Sequence, residues 1–291
     1  MFRGRRAVPA SIRQPSYAAT GIAPSPRFLD WRSEPHDEKI IARLRVAGKF
    51  AREMLDYSCS LAEPGISTDE IDRLVHERIV REGAYPAPLN YMGFPKSICA
   101  SPNDSCCHGI PDDRVLEKGD LVSFDVSVYL DGVFGDNCAT VHLADGTDSP
   151  TAATSEEEKR KLVETARRAL DRAVKAVGPG VCLTRVGDVI ANVAEPAGYG
   201  IVQQFCGHGI GTLFHTPPLV QHFRNKDKFT LKPGHVFTIE PILTARPAAV
   251  YVDQTDGWTV RTKDESLSAQ FEHMVLITDH GADVLTTSPS E

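Results

Sequence analysis

Long apolar runs are missing from this 291-residue sequence. None approaches the ~18 residues that a bilayer-spanning helix requires, so a helical membrane anchor is not expected. The seven cysteines (Cys59, Cys99, Cys106, Cys107, Cys138, Cys182 and Cys206) include no C-x-x-C spacing and are odd in number. That pattern excludes a cysteine-rich zinc module and reads as reduced thiols in a cytoplasmic protein. Acid is missing from residues 1–29, which hold Arg3, Arg5, Arg6, Arg13 and Arg27. With a formal net charge of −7 overall, the remainder carries −12. The same segment has no apolar core, which argues against a secretory signal. Pro9, Pro15, Pro24 and Pro26 favour extended chain there. Residues 1–35 are therefore expected to be a flexible basic arm, either idle or touching a polyanion such as ribosomal RNA. An arginine-rich, acid-poor start also fits an organellar transit peptide.

What the body contains is a repeat. Subtracting 115 from Pro179, Gly180, Val181, Val186, Val189, Ile190 and Gly198 gives Pro64, Gly65, Ile66, Ile71, Leu74, Val75 and Gly83. The same shift carries Gly234, Phe237, Ile239 and Glu240 onto Gly119, Val122, Phe124 and Asp125. A repeat this long predicts two similar lobes about a pseudo-two-fold axis, within one domain over residues 36–291. Asp125 and Glu240 would then face one another.

Helical periodicity begins after His36 with Ile40, Leu44, Ala47, Ala51 and Met54, and Pro64-Gly65 ends it. Ser67 with Glu70 and Ser155 with Glu158 read as capping boxes opening further helices. The second-lobe helices are expected to run to about Val177 and about Ala197. Residues 121–130 alternate: Val122, Phe124, Val126, Val128 and Leu130 on one face, Ser123, Asp125, Ser127 and Tyr129 on the other. Asp131-Gly132 predicts a tight hairpin that sets position 125 opposite 138 and brings Asp136 within one diagonal step. The architecture is thus α+β, helices over antiparallel strands.

Five residues stand in distinctive settings: Asp125; Asp136 within Gly135-Asp136-Asn137; His208 within Gly207-His208-Gly209-Ile210-Gly211; Glu240 before Pro241; and Glu272 before His273. The glycine spacing around His208 does not fit a phosphate loop. Four carboxylates in one cleft resist joint ionisation unless cations compensate them. Oxygen donors with one imidazole suit Mn²⁺, Fe²⁺ or Co²⁺ better than a closed zinc site, although Zn²⁺ is possible.

From about residue 36 to 286 the sequence resembles the type I methionine aminopeptidases. The likeness rests on Cys107-His108-Gly109-Ile110-Pro111, Asp131-Gly132 with Gly135-Asp136, the glycine-flanked His208, and Phe214-His215. It continues through Lys232-Pro233-Gly234, Phe237–Pro241, and Asp256–Thr259 leading to Ser268–His273. The resemblance implies the pita-bread fold, a dimetal site, and removal of the initiator methionine from nascent chains with a small second residue. It makes Asp125, Asp136, His208, Glu240 and Glu272 the metal ligands, with Asp136 and Glu272 bridging both ions and Glu240 also the general base. His108 would contact the scissile amide and His215 the developing oxyanion. Tyr91, Phe94, Cys99, Phe214 and Trp258, with His108 at the edge, would line the methionine slot, where sulfur–aromatic contacts suit a thioether. A monomer is implied. Phe134 stands where many bacterial relatives have His, and residues 244–257 fit poorly.

Overall fold

The computed structural model describes residues 5–24, 33–145 and 154–288. Arg3, Pro26 and Arg27, invoked above, lie outside them. Among the described residues four α-helices carry the layers: α1 (Glu38–Leu61), α2 (Thr68–Arg81), α3 (Glu156–Val174) and α4 (Thr184–Ala194). Helix α1 starts where the periodicity does. The Asp37 carboxylate accepts the Ile40 N–H at 2.8 Å, and Leu44, Ala47, Ala51, Met54 and Leu55 face inward. Ser155 makes both halves of its capping box, but Ser67 makes only one. The Glu70 carboxylate is held by the Arg73 guanidinium at 2.6 and 2.8 Å instead of returning to the cap. Helix α3 stops three residues short of Val177. Helix α4 gives way at Ala194 to a 3₁₀ turn, Glu195–Ala197, in which Pro196 has no N–H to continue the ladder.

The repeat is a repeat of backbone shape. Gly65 and Gly180 have φ of +103° and +81°, Gly83 and Gly198 +81° and +79°, and Gly119 and Gly234 +85° and +89°. Each pair, 115 residues apart, occupies a left-handed region that side chains resist. Helices α1 and α2 cover one apolar cluster with Val122, Phe124, Val126 and Val128; α3 and α4 cover a second with Phe237 and Ile239. This is the α+β, two-lobed arrangement the sequence predicts.

All strand pairings are antiparallel among the described residues. Asp131 and Gly132 both adopt positive φ (46° and 84°), as a tight hairpin demands. They join strands Leu121–Leu130 and Val133–His142 in the expected register, Asp125 opposite Cys138 and Ser127 opposite Asp136. Strand Cys99–Pro102 pairs on the other side, placing Cys99 opposite Asp125. The second lobe contributes a five-stranded sheet that includes Gly207–Gly209, Val236–Ile239 and His273–Ile277. Among the described residues no helix is long and apolar enough to cross a membrane.

Residues 5–24 correct the flexible-arm expectation, because they are packed on the body. The Arg6 guanidinium binds both Asp69 and Asp72 of α2 at 2.8 Å. The Ala7 carbonyl meets the His76 imidazole at 3.1 Å, and the Ala18 carbonyl accepts from the Asn90 amide at 2.9 Å. Tyr17 is buried, 1% exposed, and its hydroxyl donates to the Ala87 carbonyl at 2.6 Å. Two buried acids draw the arginine in, and an aromatic socket takes the tyrosine.

Candidate active site

Alternation along the hairpin turns Asp125, Ser127 and Asp136 toward one cleft. The Ser127 hydroxyl lies 2.8 Å from Asp136 Oδ1 and 3.3 Å from Asp125 Oδ1. His208 enters from strand Gly207–Gly209, with Nε2 3.5 Å from Asp136 Oδ2 and 3.6 Å from Glu240 Oε1. Its Nδ1 sits 3.2 Å from the Gly209 carbonyl, which can only accept, so Nδ1 carries the proton and Nε2 is free to ligate. The flanking glycines have a steric reason. A Cβ at Gly207 would lie 2.2 Å from the Thr238 carbonyl oxygen, and one at Gly209 2.2 Å from that of Pro217.

Glu240 follows strand Val236–Ile239. The Thr238 hydroxyl donates to its Oε1 at 2.8 Å, and its own N–H donates to His222 Nε2 at 3.1 Å. Glu272 lies between strands Ser268–Gln270 and His273–Ile277, anchored by its N–H to the Cys138 carbonyl at 2.9 Å. Ligand atoms of Asp136, His208 and Glu272 lie within 4.8 Å of one another. All five predicted ligands line one cavity of about 370 Å³.

The electrostatics of that cavity call for a cation. Burial, then Asp136 and Glu240, push the Asp125 carboxyl well up; burial, then Asp136, do the same to Glu272. Burial raises Glu240 to about 7, the nearby His208 opposing and Asp136 reinforcing the shift. For His208, burial works downward and is outweighed by the Asp136 hydrogen bond and the Glu240 charge, so its net shift is up. Among the described residues no Lys or Arg lines the cavity. Four carboxyl groups, one imidazole and no side-chain cation make a donor set that fits divalent ions.

Beside the acids the wall turns apolar. Tyr91, Phe94, Cys99, His108, Phe214, His215 and Trp258 all line the same cavity. Phe94 meets Trp258 edge-on at 5.2 Å, and Tyr91 meets Phe214 edge-on at 5.0 Å. His108 is held at φ +55° between the edges of Phe205 (5.2 Å) and Trp258 (6.2 Å). Burial pushes its imidazole down to about 4 and that of His215 well below the ordinary range, so both are neutral near pH 7. Phe134 stacks on Phe214, parallel within 1° at 5.0 Å.

Sequence reasoning missed Ser127, Thr238, His222 and Phe205 as site residues. Ser127 and Thr238 did carry a signal: each lies two positions from a predicted acid on a strand, hence on its face. His222 and Phe205 carried none, because only tertiary folding brings them to Glu240 and His108.

Comparison with known proteins agrees with this geometry. Metallopeptidase family M24 matches residues 42–279. Methionine aminopeptidase 1D, chloroplastic/mitochondrial, of Arabidopsis thaliana is 45% identical over 284 residues, covering 97% of this chain and 77% of that protein. The mitochondrial methionine aminopeptidase 1D of Dictyostelium discoideum is 42% identical, covering 96% of this chain and 67% of that one. The crystal structure of methionine aminopeptidase from Rickettsia prowazekii superposes with a TM-score of 0.83 at 39% identity, over 88% of this chain and 100% of that one. Prolidase from Pyrococcus furiosus, at 22% identity and a TM-score of 0.66, shares the fold alone. With a pita-bread fold and a buried acid–imidazole cluster open to an aromatic slot, the chain belongs to metallopeptidase family M24, among the methionine aminopeptidases.

Proposed function

We propose that this enzyme removes the N-terminal methionine of nascent proteins and peptides, preferring a small second residue. The observation that carries the reading is the junction of the acid–imidazole cluster with an aromatic and sulfur-lined slot in one cavity. Asp125, Asp136, His208, Glu240 and Glu272 would hold two divalent ions, which supply activated water and a polarised scissile carbonyl. Oxygen-rich donors favour Mn²⁺, Fe²⁺ or Co²⁺, with Zn²⁺ as the other option. Glu240, at about 7 and oriented by the Thr238 hydroxyl, is suited to take a proton and pass it to the leaving amine. Neutral His108 faces the scissile amide, and neutral His215 donates a hydrogen bond to the carbonyl oxygen as charge develops there. Phe94, Cys99, Phe214 and Trp258 hold the thioether in a dry slot.

The test is release of methionine from Met-Ala-Ser with Mn²⁺ or Co²⁺. No turnover there, with turnover of Xaa-Pro peptides, would move the assignment to prolidase. Asp136→Asn should abolish activity with an unchanged circular dichroism spectrum, whereas an active variant would sink the dimetal site.

The setting is read as the cytoplasm, with the protein a monomer; cell fractionation and light scattering test both. Ribosome contact remains the reading for the basic segment. Its support is exposed Arg5, together with Arg13, which is exposed and pairs at the surface with Asp131 at 3.5 Å, since Arg6 is occupied by Asp69 and Asp72. Arg5→Glu with Arg13→Glu should weaken a salt-sensitive co-sedimentation with ribosomes. Unchanged co-sedimentation removes the idea.

A further inference from the structure

We propose that the N-terminal segment is part of the active-site wall: Tyr17 fixes the ring of Tyr91, and the Tyr91 hydroxyl fixes His215 as the tautomer that carries its proton on Nε2. The proposal deepens the functional reading above, because it assigns how the carbonyl-facing donor is aimed.

The contacts run in one line. Tyr17 is anchored at its far end by the Ala87 carbonyl, 2.6 Å from its hydroxyl. Its ring meets Tyr91 edge-on, 82° between planes at 5.0 Å, while Phe214 presses Tyr91 from another side at 5.0 Å. The Tyr91 hydroxyl lies 2.8 Å from His215 Nδ1. Burial raises that phenol to about 12, so it keeps its proton near pH 7. Among the described residues no other group hydrogen-bonds to it, so the phenol proton goes to Nδ1. A neutral imidazole that accepts at Nδ1 must bear hydrogen on Nε2. His215 lines the cavity beside His208, ring centroids 4.1 Å apart, so the fixed N–H is available to a substrate oxygen.

Preorganisation is the physical gain. An imidazole free to exchange tautomers spends part of its time without a donor toward the substrate, and a loosely held Tyr91 ring would let that happen. The long separation in sequence between Tyr17, Tyr91 and His215 makes this a property of the folded chain alone.

The test combines a spectrum with kinetics. In Zn²⁺-loaded protein carrying ¹⁵N-histidine, two-bond ¹H–¹⁵N spectra should show His215 with bare Nδ1 and protonated Nε2. Tyr91→Phe keeps the ring and deletes the hydroxyl; it should broaden or reverse that pattern and lower kcat on Met-Ala-Ser about 10-fold or more. KM should stay within about 2-fold, as for an interaction made in the transition state. Tyr17→Ala should show a weaker loss of the same kind, and Tyr17→Phe, which retains the ring contact, should restore most of it. If Tyr17→Ala does not fold, Tyr17→Leu takes its place. A wild-type His215 protonated on Nδ1, or a Tyr91→Phe variant with unchanged tautomer and kcat, overturns the proposal. Wild type inactive on Met-Ala-Ser would overturn the functional reading only, and the spectrum would still decide the tautomer.

Discussion

Asp125, Glu240 and Glu272 are carboxyl groups that burial, reinforced by the neighbouring Asp136 charge, pushes toward the protonated form. A cation requires them ionised, so binding must expel protons. Glu240 stands at about 7, which fixes the sign: affinity should fall as pH drops below about 7 and rise above it. Titration calorimetry of Mn²⁺ binding at pH 7, in buffers of different ionisation enthalpy, should report release of about one proton or more per chain. Heats that do not depend on the buffer would contradict this. The four acids and the imidazole were legible because alternation, glycine flanks and the repeat mark them in the sequence. His222 was not, since a histidine in a loop is unremarkable until Glu240 folds against it.

Among elements, the hairpin was the most readable. Asp131-Gly132 dictates a turn, the turn dictates register, and the register alone puts Asp136 beside Asp125. Where a local rule faced a competitor it failed: Glu70 had a nearby guanidinium and left its cap half made. Gly135 shows what tertiary packing adds to the strand. A Cβ there would lie 2.3 Å from the Ala47 carbonyl of α1, so the helix rests on bare backbone next to Asp136. Gly135→Ala should therefore cost about 1–3 kcal/mol in urea unfolding and also reduce turnover by shifting Asp136. A variant of unchanged stability would mean the helix gives way freely.

At the scale of the whole molecule the duplication was visible and the packed N-terminal segment was not. Offset glycines survive as residue identities, whereas the partners of residues 5–24 are scattered: Asp69 and Asp72 on α2, Ala87 and Tyr91 beyond it. A basic, proline-bearing stretch reads as idle until those partners are known. Arg6→Ala leaves Asp72, fully buried, without its counter-charge, and should lower stability by roughly 3 kcal/mol. A midpoint shift in urea at constant m-value measures it, and no shift would return the segment to the status of a tail.

The division of the donor set between the two halves has a mechanical consequence. Asp125 and Asp136 come from one half, and His208, Glu240 and Glu272 from the other. Any ion seated among them is a rivet across the old seam. Stripping it with a chelator should loosen the join, and refilling at about 100 times the dissociation constant should return roughly 2.7 kcal/mol. The reagent that makes the chemistry possible would thus also fasten the shell around it.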